Sequence, residues 1–102
     1  YLADPAAPGR ISQWPAFGQR YSKPNVVPAV AAYVTLARRH GLTPVQLAPG
    51  FVHSRWFVSS PIIGASSLAQ LQETLPATQT PMSPELLAEI DAIHLRYTNP
   101  AP

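Results

Sequence analysis

The sequence predicts an α/β fold that is mainly α-helical, with about four helices and one short strand. Three observations carry this reading. Apolar residues recur at helical spacing in several stretches. Helix-start signatures, a Ser, Thr or Asn followed closely by Pro or Gln, precede those stretches. Only Phe57-Val58-Ser59-Ser60-Pro61-Ile62-Ile63 is short, aromatic and β-branched in the manner of a strand. A single strand has no ladder partner, and its backbone groups need pairing on both sides if it is buried. The chain therefore reads as a piece of a sheet-containing domain whose other strands lie outside it.

Residues 1–24 are rich in proline and glycine and hold no period, so they read as a long loop with Trp14, Phe17 and Tyr21 as aromatic anchors. Long structureless loops are uncommon in compact domains and tend to be functional, a floppy terminus being the plain alternative. Asn25 is placed to cap a helix over Val26 to Arg39, with Val26, Val30, Tyr33, Val34 and Ala37 forming one apolar stripe. Pro28 falls in the first turn, where a missing N–H costs nothing, and Gly41 is the expected stop. Thr43-Pro44-Val45-Gln46 then combines a cap, a proline at the first helical position and Gln three after the cap. That helix should reach about Ser54, but Pro49-Gly50 predicts a bend or an early end, because an interior proline costs roughly 3 kcal/mol. The strand follows and closes at Gly64. A third helix is expected over about Leu68 to Leu75. The last begins at Ser83-Pro84-Glu85, buries Leu86, Leu87, Ile90, Ile93 and His94, and ends near Tyr97.

Composition narrows the function classes. Charged residues make up 12% of the 102 residues, against a usual quarter, so more surface than normal expects a cover. The net charge of +2 is scattered, and Arg38-Arg39, the one basic pair, suits a helix C-terminus. A nucleic-acid footprint would need a clustered basic stripe, and none is visible. The absence of cysteine excludes disulfides and thiolate metal sites. No apolar run is long enough to span a bilayer, and no signal peptide is visible, so a cytoplasmic setting is the expectation. The start at Tyr1, without methionine, suggests a fragment.

The stretch IIGASSLAQLQETL, residues 62–75, carries the chemistry. A strand end, a glycine and a helix N-terminus together make a common phosphate seat. The first helical N–H groups have no internal acceptor, and the positive end of the helix dipole lies behind them. Gly64 lets backbone approach a ligand, and Ser66 and Ser67 add hydroxyls. Ser67 with Gln70 also fits a capping box, so an ordinary capped helix is the plain alternative.

Three segments, AAYVTLARRHGLTPVQLA (31–48), FVSSPIIGASSLAQLQETL (57–75) and MSPELLAEIDAIHLRYTNPAP (82–102), resemble the C-terminal third of an aldo-keto reductase in order and spacing. They are most similar to the branch of Tas-like oxidoreductases and potassium-channel β-subunits. The resemblance implies a C-terminal fragment of a (β/α)8 TIM barrel over residues 1–102. Residues 1–24 would be the loop after the seventh strand, with Tyr1 ending a GKY motif. Residues 25–102 would hold the last helices, the eighth strand and a C-terminal helix outside the barrel. It implies an NADP(H)-dependent oxidoreductase that reduces aldehydes or ketones to alcohols, with the adenosine 2′-phosphate and adenine bound at the end of this strand, where barrel enzymes build their sites. Gly64 and Ala65 would offer backbone, Ser66 its hydroxyl, Gln70 its amide to the phosphate, and Glu73 its carboxylate to the adenine amino group. Thr74 replaces the family's usual Asn, and Gln70 in place of Arg predicts a weaker preference for NADP over NAD. Pro49-Gly50 departs from the family's continuous helix.

The resemblance places the family's general-acid tyrosine and its Lys, Asp and His partners on earlier strands, with no counterpart here. Catalytic residues on this chain are therefore expected to be none, with NADPH and a small carbonyl substrate as partners of the parent enzyme. Tyr21, Tyr33 and Tyr97 read as packing residues, since aromatics are usually core or anchor groups. His40 reads as a helix-end residue. His40, His53 and His94 stand too far apart for a metal-type pair. Glu85, Glu89 and Asp91 read as a solvated acidic side. A non-catalytic helical interaction module and a non-functional truncated product are the alternatives. In isolation the chain is expected to self-associate through exposed apolar faces or to pack loosely.

Overall fold

The computed structural model describes residues 9, 13, 14, 16 and 18–102. Most of the N-terminal loop, including Tyr1 and Phe17, therefore lies outside the described residues. Trp14 and Tyr21 are exposed and do not act as anchors, and a short 3₁₀ turn, Gln19–Ser22, follows Gly18.

Helix α1 is Val26–Arg39, with the expected bounds. Its start is not capped as expected: Asn25 already has helical geometry (φ −85°, ψ −7°) and its side chain makes no capping bond. The Val26 N–H instead donates to the Lys23 carbonyl at 3.1 Å, so the preceding turn supplies the acceptor. The C-terminus closes in a Schellman motif. Gly41 takes φ +68°, its N–H donates to Arg38 O, and the Leu42 N–H donates to Ala37 O. Glycine is required there because a side chain disfavours the left-handed region.

Helix α2 is Pro44–His53. Its capping box is complete: Gln46 N–H donates to Thr43 Oγ1 at 3.1 Å, and Thr43 N–H to Gln46 Oε1 at 2.9 Å. The helix runs through Pro49, so the expected early end does not occur. One hydrogen bond is forgone there, while Leu47 and Gly50 are buried on either side and hold the helix in place. Gly50 sits against the chain that precedes α4: a Cβ there would lie 2.7 Å from Met82 Cε and 3.0 Å from Thr80 Cβ.

The expected strand over Phe57–Ile63 is not formed. Residues 57–63 are turn, bend and irregular chain, and no strand occurs among the described residues. A ladder needs a neighbouring strand, and the described chain offers none. Helix α3, Leu68–Ala77, extends past the expected Leu75 and includes Pro76. Thr78 Oγ1 donates to the Leu75 carbonyl at 2.8 Å and closes that end. Helix α4, Pro84–Arg96, starts where the Leu86 N–H donates to Ser83 Oγ at 3.1 Å.

Helix α1 packs on both α2 and α4, and α2 packs on α3. The core cluster is Leu36 and Ala37 from α1, Leu47 from α2, and Leu86 and Ile90 from α4. Tyr33, Leu42, Phe51, Met82, Leu87 and Ile93 pack against it, half-buried. Two expectations for α4 fail. His94 is exposed: in the last turns of α4 it is Ile93, not His94, that packs against the core. Glu89 is not a freely solvated acid: it pairs with Arg39, and its Oε1 lies 2.8 Å from His40 Nε2. This contact ties the cationic end of α1 to α4. The accessible surface, 7314 Å², exceeds the roughly 5600 Å² of a compact monomer of 11.0 kDa. Helix α3 and the segment before it supply much of the exposed apolar surface: Trp56, Phe57, Ile62, Leu68, Leu71 and Leu75.

Candidate functional site

Of the residues the sequence names here, Gly64, Ala65, Ser66, Gln70, Glu73 and Thr74, the structure joins Ser66 to Gln70, with Gly64 and Ala65 in the chain before α3 and Glu73 and Thr74 further along the helix. Ser67 caps the helix, its Oγ accepting from the Gln70 N–H at 3.2 Å. The reciprocal half of the box is displaced by one residue. Gln70 Oε1 accepts from Ser66 N–H at 2.8 Å and from Ser66 Oγ at 2.9 Å, rather than from the backbone of Ser67. Ser66 and Gln70 therefore form a closed polar pair on the outer face of the turn.

This arrangement fixes the donors that face outward. The N–H groups of Leu68 and Ala69, the first two of α3, have no intrahelical acceptor. With Oε1 held by Ser66, the Gln70 side chain keeps its two amide hydrogens as donors. The whole seat, from Gly64 through Glu73, is exposed, and Thr74 is half-buried. Gly64 has open space around the position of a Cβ and no positive φ, so the chain's own packing does not demand glycine there. No Lys or Arg occurs between Arg55 and Arg96, so none comes from the seat's own stretch. Hydrogen bonding and the helix dipole, worth roughly 0.3–1 kcal/mol at an exposed end, are what the seat itself offers an anion. Glu73 stands one turn further on and makes no ion pair.

A largely apolar groove lies elsewhere. A groove of about 540 Å³ between α1, α2 and α4 is lined mainly by Val30, Val34, Leu47, Phe51 and Ile90, with Tyr33, Asp91 and His94 as polar members. None of the seat residues borders it. Burial, and after it the Asp91 carboxylate, pushes the Tyr33 hydroxyl above its ordinary pKa. Tyr33 thus packs as expected, with Tyr97 half-buried and Tyr21 exposed. The groove was not legible in the sequence, because it arises from how three helices cross rather than from any motif. No group of three or more His, Asp or Glu side chains gathers to hold a metal among the described residues.

Residues 4–95 match the model of the Aldo/keto reductase family, and the chain belongs to that family. Among curated proteins it is 47% identical over 83 residues to the protein tas of Escherichia coli (strain K12) and, equally, to that of Shigella flexneri. Those alignments cover 81% of this chain and 24% of each relative. An aldo-keto reductase of Babesia bovis is 29% identical over 100 residues, covering 95% of this chain and 35% of that protein. The chain thus spans about a quarter to a third of the length of these relatives. Four helices without a described strand agree with part of a (β/α)8 barrel.

Proposed function

We propose that the chain supplies the adenosine-phosphate part of the cofactor site of an NADP(H)-dependent aldo-keto reductase, an oxidoreductase that reduces aldehydes or ketones to alcohols. The observation that carries this is the Ser66–Gln70 pair at the α3 N-terminus. It holds Gln70 with its amide donors free, beside two N–H groups that have no helical acceptor. These are the groups a phosphate monoester needs, and their chemistry fits one. The nicotinamide end of the cofactor supplies hydride when bound. This chain's residues would hold the other end, through Leu68 N–H, Ala69 N–H and the Gln70 amide, with Ser66 Oγ joining once it leaves Gln70. Gly64 and Ala65 would bring backbone close, and Glu73 and Thr74 would face the base. Without a cationic side chain in its own stretch the seat favours the 2′-phosphate only weakly, so NADPH should bind little tighter than NADH.

By resemblance, none of this chain's tyrosines matches the family's general acid, so the chain alone should bind without reducing carbonyls. The test is a fluorescence titration with NADPH and NADH. Saturable binding that weakens about tenfold in Ser66→Ala/Gln70→Ala supports the reading. Binding that ignores both substitutions refutes it, and no binding at all would mean a relic or a half-site that needs the longer parent chain.

A further inference from the structure

We draw no further inference here: the strongest candidate, the apolar groove of about 540 Å³ between α1, α2 and α4 with Tyr33, Asp91 and His94 as its polar members, carries nothing because nothing in the structure shows what covers it.

Discussion

Helices α3 and α4 begin in the same way and end in different surroundings. Each is capped by a serine whose hydroxyl accepts from the N–H three residues on. Yet α4 delivers Leu86 and Ile90 to the common core with α1 and α2, whereas α3 buries only Ala77 at its far end. Local capping is therefore equal, and burial separates the two. The core trio is held by tertiary packing. The seat on α3 is held by hydrogen bonds within one turn. Helix α3 packs on α2 but buries fewer side chains than α4 does, so it should be the less stable of the two.

The sharpest way to break this comparison is to delete apolar atoms on each side. Leu86→Ala should lower the unfolding free energy by about 2–4 kcal/mol in urea titrations, because its site is buried and cannot easily collapse. Leu75→Ala, on the exposed stripe of α3, should cost less than about 0.5 kcal/mol. Similar losses at both sites would show that α3 shares the core after all. The caps give a smaller effect. Ser83→Ala should cost about 1 kcal/mol of global stability. Ser67→Ala should fray the first turn of α3, seen as faster amide exchange there, with the global midpoint nearly unchanged.

Tyr33 gives the smallest and most specific effect. Burial first, and Asp91 second, hold its hydroxyl above the ordinary value of 10.0, so the folded chain keeps a proton that the unfolded chain releases. Stability from this group is full below that ordinary value. It is lost as pH rises from there through the higher folded value. Tyr33→Phe should remove that part of the alkaline decline, read from melts between pH 9 and 11. A decline unchanged in Tyr33→Phe would place its cause elsewhere.

The core trio was the more legible half of the fold. Val26–Arg39, the Thr43–Gln46 box and the Ser83 start are set by neighbours in sequence, so local rules find them. Asn25 failed as a cap because its own backbone is already helical and the third helical residue, Pro28, has no N–H for its side chain to accept. Pro49 failed to end α2 because burial of Leu47 and Gly50 outweighed one lost hydrogen bond. The strand over residues 57–63 was misread for the opposite reason. Its residues have strand propensity, but a strand is made by a neighbour that the described chain lacks. At the site, the motif put the candidate residues before and along the first two turns of α3. It could not show that Gln70 reaches back past Ser67 to Ser66, since both serines satisfy the same pattern.

The most direct test of the central claim, that the seat on α3 acts apart from the core, is residue-resolved amide hydrogen exchange with and without NADPH. The account predicts that the cofactor slows exchange at Ser66, Leu68, Ala69 and Gln70 and leaves Ala37, Leu47 and Ile90 as they were. Slowing confined to the groove around Val34, Leu47 and Ile90, with no change from Ser66 to Gln70, would contradict it.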